Sequence, residues 1–223
     1  MKLVLAGPDV VVVDDLLDQA AFAALGRQLA DGRYQSVHAA GWDRAWRPGD
    51  GAPLRGGGVY YDPGDSLDRP GARYPTSSVV DEFVDAVRRL TGEHPQVVGA
   101  EGAEWTAMFL SPWLYPTGSA LSLHRDGGGY SGAFTYFAHP RWGVHWGGEL
   151  LLLEDDPSAG HSALGTAGWL VEDEVGSGLA TCVFPRPNRL VLVGPGRPHM
   201  IGRVDPNAGD HVRTTLAGFF LRP

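Results

Sequence analysis

The residues with the clearest chemical potential are His124, Arg125 and Asp126, followed by Gly127-Gly128-Gly129. They end an apolar run, Ala120-Leu121-Ser122-Leu123, that reads as a strand. Side chains alternate along a strand, so His124 and Asp126 point to the same face. One imidazole beside one carboxylate can chelate a divalent metal. A further imidazole would complete two histidines and one carboxylate on a triangular face. The remaining octahedral positions would stay open for a co-substrate and O2, which suits non-haem Fe(II). Alone, a His-x-Asp pair at a strand end also arises by chance as a hydrogen-bonded turn, so the rest of the chain has to decide.

Such residues need elements to hold them. Residues 3–5 and 10–13 read as two short strands split by Gly7-Pro8. Asp14 or Asp15 can cap a helix over 16–30 with Leu16, Leu17, Ala20, Ala24 and Leu29 on one side, and Asp31-Gly32 stops it. A second helix starts at the Ser78-x-x-Asp81 capping pattern, carries a stripe from Val79 to Leu90 and stops at Gly92. Between the helices, residues 36–75 have no period and hold Trp42, Arg44, Trp46, Arg47, Arg55 and Tyr60-Tyr61. That is too long for a structureless loop, so it is functional or partly stranded. From residue 97 the period is that of strands, expected at 104–114, 119–125, 132–138, 148–154, 168–172, 179–184, 189–194, 199–204 and 211–221. Helices first and turn-linked strands after them predict an α+β chain whose main body is a jelly roll or sandwich. At 223 residues the expectation is one domain, 1–223, with 1–100 as helical support and lid and 101–223 as the core.

Several ordered segments then resemble the Fe(II)/2-oxoglutarate-dependent oxygenases, in particular the prolyl-4-hydroxylase-like branch. These are Tyr115-Pro116-Thr117-Gly118 leading into His124 and Asp126, then Gly147-Gly148-Glu149, Arg189-Leu190-Val191, His199 and Arg213-x-Thr215. The resemblance covers residues 105–221. It implies a double-stranded β-helix (jelly roll) with supporting N-terminal helices, holding iron by His124, Asp126 and His199. It also implies that 2-oxoglutarate chelates the iron while its far carboxylate pairs with Arg213, helped by Thr215, with Tyr115 touching the same co-substrate. Arginine takes a carboxylate through two parallel hydrogen bonds. His199 and Arg213 stand further apart than is usual in the family, and Leu150 stands where some relatives carry a hydroxyl. The strands bearing them are expected to pair as a hairpin, and both residues must face the interior, which requires an even register, such as 199 opposite 217 and 203 opposite 213, and leaves a turn over 206–210. Halogenating relatives lack the carboxylate ligand, so Asp126 implies oxygen insertion or desaturation.

Other chemistries fit less well. His139, His145, His161 and His211 read as surface or turn histidines, and His211 is too near Arg213 to leave room for the co-substrate between them. His-Arg-Asp also occurs in the kinase catalytic loop, but no glycine-rich phosphate loop with its lysine accompanies it. A cupin would carry a tighter histidine cluster in its first motif. Cys182, the single cysteine, excludes an internal disulfide and a thiolate zinc site and reads as buried. Trp105, Trp113 and Trp169 read as core, whereas Trp42, Trp46, Trp142 and Trp146 could wall a pocket.

Composition limits the partners. A net charge of −8 disfavours nucleic acid and anionic membranes. No apolar run approaches a membrane span, and Gly7-Pro8-Asp9 cuts short the signal-like start, so a cytoplasmic protein is expected. Of 18 basic residues only Lys2 is lysine, so a buried carboxylate needing a cation must use arginine. The expected substrate is a polar small molecule, such as a glycoside, admitted beneath residues 40–62 and 139–146 and touched by Trp42, Arg47, Tyr60 and Trp146. The pattern also resembles bacterial antibiotic-tailoring oxygenases, including the orthosomycin type. Alternatives are a free amino acid, a prolyl residue of a peptide or protein, or a binding module that keeps the metal without turnover.

Overall fold

The computed structural model describes residues 1–38, 46–154 and 178–223. The chain opens with β1 (Lys2–Ala6) and β2 (Val10–Asp14), an antiparallel pair. The unbroken run of four valines in β2 has a physical cause. Val11 and Val13 enter one core while Val10 and Val12 enter another, so both faces are covered. Helix α1 (Gln19–Ala30) starts later than expected, because Asp18 rather than Asp14 or Asp15 accepts the Ala21 N–H, at 2.8 Å. Asp14 instead takes the Arg189 guanidinium at 2.7 and 3.1 Å. The buried stripe of α1 is Ala21, Leu25 and Leu29, one position on from the expected Ala20 and Ala24. Ser78 caps α2 (Val79–Glu93) as expected, and Asp81 accepts the N–H groups of Thr76 and Ser77 at 2.8 Å each. The short α3 (Pro95–Val98) follows.

Part of the aperiodic stretch is stranded: β3 (Tyr34–Ser36), β4 (Leu54–Gly56), β5 (Val59–Tyr61) and β6 (Ala72–Arg73). The first hundred residues therefore supply strands to the main sheet as well as helices. The main body is β7 (Ala107–Tyr115), β8 (Leu121–His124), β9 (Tyr130–Phe137), β10 (Leu150–Leu153), β11 (Ala180–Val183), β12 (Arg189–Val193), β13 (His199–Ile201) and β14 (Arg213–Leu221). The expected strand at 168–172, with Trp169 and His161, lies outside the described residues.

Two sheets result. The larger runs β1-β2-β12-β9-β14-β7-β4-β3 with β5 and β6 attached to β7, and the smaller runs β11-β10-β13-β8. Every pairing is antiparallel except β5 with β6. Within β7 to β14 the chain repeatedly switches sheets, giving 12-9-14-7 facing 11-10-13-8, the order of a double-stranded β-helix. The period of two splits the core in two. On β12, Leu190 and Leu192 face the helices with Phe83 and Leu90, while Val191 and Val193 face the gap between the sheets with Leu150 and Ile201.

Three expectations need correction. The strands carrying His199 and Arg213 do not form a hairpin: β13 pairs with β10 and β8, and β14 with β7 and β9. The turn at Pro206–Ala208 instead carries the chain from one sheet to the other. Cys182 is exposed, not buried, because β11 is an edge strand and turns that side chain to solvent. His139 is buried, at 2 % exposure, beside the Pro185 carbonyl at 2.8 Å. Trp105, read as core, is fully buried against Phe220. Among the described residues no helix is long and apolar enough to cross a membrane.

The buried histidine predicts a pH dependence of stability. Burial pushes the His139 pKa from 6.5 down to about 4. Between those values the unfolded chain holds a proton that the folded chain refuses, so stability falls as pH drops through that window. One such group gives a slope of at most about 1.4 kcal/mol per pH unit. Urea unfolding across this range should show a steeper loss for the wild type than for His139→Gln. Equal slopes would show that His139 takes up its proton without unfolding.

Candidate metal centre

The smaller sheet brings the two histidines together. In the β8–β13 ladder His124 lies directly opposite His199, and the ring centroids are 4.3 Å apart. Asp126, just past the end of β8, reaches both rings. Its Oδ1 is 3.7 Å from His124 Nε2 and its Oδ2 is 3.9 Å from His199 Nε2. The ligand atoms of all three residues fall within 4.8 Å of one another. Donors about 2 Å from a shared ion stand roughly 3 to 4 Å apart. Each imidazole also has its other nitrogen occupied: His124 Nδ1 is 2.9 Å from the Ser122 carbonyl, and His199 Nδ1 is 2.9 Å from the Arg197 carbonyl. A carbonyl accepts only from an N–H, so in the neutral ring the lone pair is on Nε2, the nitrogen on the side of Asp126. Burial, reinforced by neighbouring His199 and opposed by Asp126, pushes the His124 pKa down to about 4. A neutral imidazole at neutral pH is the form that binds a metal.

A second constellation sits on the larger sheet. Arg213 is fully buried on the inner face of β14, opposite Tyr115 of β7. Its guanidinium lies 5.0 Å from the Tyr115 ring centre and 4.9 Å from that of Phe137. Nε donates to the Gly148 carbonyl at 2.7 Å, while Nη1 and Nη2 have no hydrogen-bond partner among the described residues. Burial pushes its pKa down to about 10, still protonated at neutral pH. Thr215, buried and two residues on along β14, shares the inner face. The Gly147-Gly148 pair has a steric reason here. Both have positive φ, +67° and +73°, and a Cβ on Gly148 would stand 2.8 Å from Arg213 Cδ, while one on Gly147 would stand 2.1 Å from the Arg203 carbonyl.

Between the two constellations lies a cavity of about 530 Å³ reached by His124, Asp126, His199, Tyr115 and Thr215. The register explains its shape. Thr135, Ala217 and Ser111 form one cross-strand row of small side chains, bounded by the row of Phe137, Thr215 and Trp113 and by that of Ala133, Phe219 and Phe109. The small row leaves the hollow. Trp113, expected as core, lines this cavity, because odd-numbered positions of β7 face between the sheets. Trp46 packs beside it, ring centres 5.5 Å apart.

The expected substrate contacts divide. Tyr60 lines the cavity, its ring tilted against Phe109 with centres 4.7 Å apart. Arg47 and Trp146 are not among its lining residues. Arg47 starts the turn at Pro48–Asp50, and Trp146 stacks on His211 at 4.5 Å, which occupies that histidine away from the metal group. Trp42 lies outside the described residues. The sequence reading missed Arg55, Arg69 and Arg125, which also line the cavity. Arg55 donates from Nε to Ser111 Oγ at 3.1 Å, between Phe109 and Trp113. Its signal, an isolated arginine before a triple glycine, gains meaning only once β4 is known to pair with β7.

No protein-family model matches the chain, and no curated protein matches it in sequence. Solved structures do. A Pseudomonas putida prolyl-4-hydroxylase superposes with a TM-score of 0.62 at 18 % identity, covering 96 % of this chain and 93 % of the other. An oxidoreductase of the 2OG-Fe(II) oxygenase family from Burkholderia pseudomallei gives 0.61 at 13 %, covering 100 % and 94 %. The epimerase SnoN, in complex with Fe3+, alpha ketoglutarate and nogalamycin RO, gives 0.56 at 17 %, covering 96 % and 80 %. At such identities the likeness concerns architecture, and in architecture this chain has the double-stranded β-helix fold shared by these 2OG-Fe(II) oxygenases.

Proposed function

We propose that the protein is a non-haem Fe(II)/2-oxoglutarate-dependent dioxygenase acting on a C–H bond of a polar small molecule. The observation that carries this reading is a pairing. Two imidazoles and a carboxylate converge on one side of a cavity, and a fully buried arginine with two unmet donors stands behind its other side. A buried guanidinium with idle N–H groups is costly, and a carboxylate with two parallel acceptors answers it. The donor set suits Fe(II) with open positions. His124, Asp126 and His199 would hold the metal, and Arg213 with Thr215 and Tyr115 would hold the far carboxylate of 2-oxoglutarate. When bound, Fe(II) with 2-oxoglutarate and O2 supplies oxidation of a substrate C–H bond, with succinate and CO2 as the other products. The chain's own part is to orient the two ligands across a fixed span and to shield the site behind Trp46 and Trp113.

The substrate reading rests on the cavity. Its aromatic walls, with Tyr60, Phe109 and Trp113, suit stacking of a ring, as in a glycoside or another natural-product intermediate. A volume of about 530 Å³ is far more than a free amino acid fills. The likeness to SnoN, described from nogalamycin biosynthesis, supports a role in antibiotic tailoring. The likeness to prolyl hydroxylases, one of them in complex with a hypoxia inducible factor peptide fragment, keeps a peptide substrate as the second reading. We take residues 1–223 as one catalytic unit working in the cytoplasm, without nucleic acid or membrane partners. The exposed free cysteine suits a reducing compartment.

Anaerobic Fe(II) and 2-oxoglutarate binding, followed by O2 uptake and succinate release with glycosides, amino acids and proline-rich peptides, tests the proposal. His199→Ala should abolish succinate release with the fold retained. Full release in that variant would reject the metal assignment, and binding without any turnover would favour a binding module. Coupled turnover confined to peptides would leave the iron chemistry and overturn the small-molecule reading. With Asp126 as a ligand, chloride buffer should yield no chlorinated product by mass spectrometry.

Two variants test the carboxylate site apart from the metal. Arg213→Ala should raise the 2-oxoglutarate concentration needed by roughly 100-fold, the scale of a lost charge-assisted pair. Gly148→Ala should raise it roughly tenfold by pushing the guanidinium aside, about 1.4 kcal/mol, with Fe(II) affinity unchanged in both. An unchanged requirement in Arg213→Ala would place the far carboxylate elsewhere.

A further inference from the structure

The two imidazoles are held in the same way. Each Nδ1 meets a carbonyl two residues earlier in the chain, and in each case the residue owning that carbonyl is fastened by carboxylates from distant segments. On the His124 side the residue is Ser122. Asp50, only 4 % exposed, accepts the Ser122 hydroxyl at 2.7 Å and the Ser122 N–H at 3.2 Å. The Asp50 carboxylate also takes the Arg47 N–H at 2.9 Å, and its main-chain carbonyl accepts the Ala120 N–H at 2.9 Å. This matters because β8 is the outer strand of the smaller sheet. Among the described residues no strand lies beside its outward N–H groups, and Asp50 takes the place of one.

On the His199 side the residue is Arg197, only 8 % exposed. Its Nη1 donates to Asp9 Oδ2 at 2.6 Å and its Nη2 to Glu154 Oε1 at 2.8 Å. Asp9 comes from the turn between β1 and β2, and Glu154 follows β10. Arg197 is thus tied to the N-terminal turn and to the neighbouring strand of its own sheet.

We propose that these two clamps set the rotation of the imidazoles before a metal arrives: Asp50 through Ser122 for His124, and Asp9 with Glu154 through Arg197 for His199. The inference rests on the metal reading above. Asp50 and Arg197 are positioning residues. Neither is one of the three ligands, but each fixes a peptide carbonyl, and that carbonyl dictates which ring nitrogen keeps the lone pair and where it points. Removing the partner of a metal-bound histidine typically weakens metal binding by about 10–100-fold.

The test is Mn(II) titration of metal-free protein, followed by the EPR signal of free Mn(II), with urea unfolding of the same samples and visible spectra of the Co(II)-loaded forms. Asp50→Ala and Arg197→Met should each weaken Mn(II) binding by roughly tenfold or more and change the Co(II) spectrum. Asp50→Asn, which keeps one acceptor oxygen, should recover part of the affinity. A purely structural role would lower the urea midpoint and leave Mn(II) affinity and the Co(II) spectrum unaltered, which would overturn the inference. Should Asp50→Ala fail to fold, Ser122→Ala removes only the 2.7 Å bond. It should shift Mn(II) affinity in the same direction by less, and no shift in either Ser122→Ala or Asp50→Asn would equally overturn it. Wild-type protein that binds neither Mn(II) nor Fe(II) would remove the metal reading itself, and the inference falls with it.

Discussion

The site depends on one rung of one ladder, the antiparallel pairing that sets His124 opposite His199. β8 and β13 are short, and the ladder between them slips one position beyond that rung, before Ile201 meets Leu121. A register shift of one residue would turn either imidazole to the other face and dissolve the group. The surroundings of this rung are correspondingly well tied. Arg203 donates to the carbonyls of Gly118 and Gly49, and Gly51 approaches Gly118 so closely that a Cβ there would stand 2.6 Å from its carbonyl oxygen. The N-terminal segment is thereby fastened against the edge of the smaller sheet.

The larger sheet carries a different constraint, a buried charge. Arg213 is taken out of water between two aromatic rings, with one of its donors used by Gly148. A guanidinium in that position costs stability unless an anion completes it. The residues around it tolerate no bulk: Gly148 is excluded from carrying a side chain, and Trp142, which donates to the Gly147 carbonyl at 2.8 Å, holds the glycine turn in place. The His124–Asp126–His199 group and the arginine belong to opposite sheets, and the separation of the sheets sets the distance between them.

This division explains where sequence reading succeeded and failed. His124 and Asp126 were legible because strand alternation is local. Helical periodicity, equally local, gave both helices, although the N-cap of α1 was misplaced by a few residues, since Asp14, Asp15 and Asp18 are equally good caps on paper. Asp14 was withdrawn by a partner, Arg189, far away in sequence. His139 and Cys182 were assigned to the wrong environments for the same reason. Burial is decided by what packs on top, and β11 happens to be an edge while the segment after β9 is not. Asp50 gave no signal in the sequence at all, because a lone aspartate between two glycines reads as an ordinary turn.

By itself the sequence determined the residue types: the His-x-Asp chelate, the distant histidine, the arginine that stands in for lysine and the glycines that make room beside it. It also determined that a run of turn-linked strands follows the helices, the order from which a jelly roll or sandwich is expected. Only the tertiary structure decided how these residues are related. A hairpin between the strands of His199 and Arg213 was a reasonable reading of consecutive strands, yet the chain crosses between sheets at Pro206–Ala208. Periodicity specifies which side chains share a face of one strand, whereas the choice of neighbouring strand depends on which apolar faces can be buried together. That choice is made by the whole chain. It set two histidines on one rung, an arginine on the opposite sheet and a row of small side chains between them.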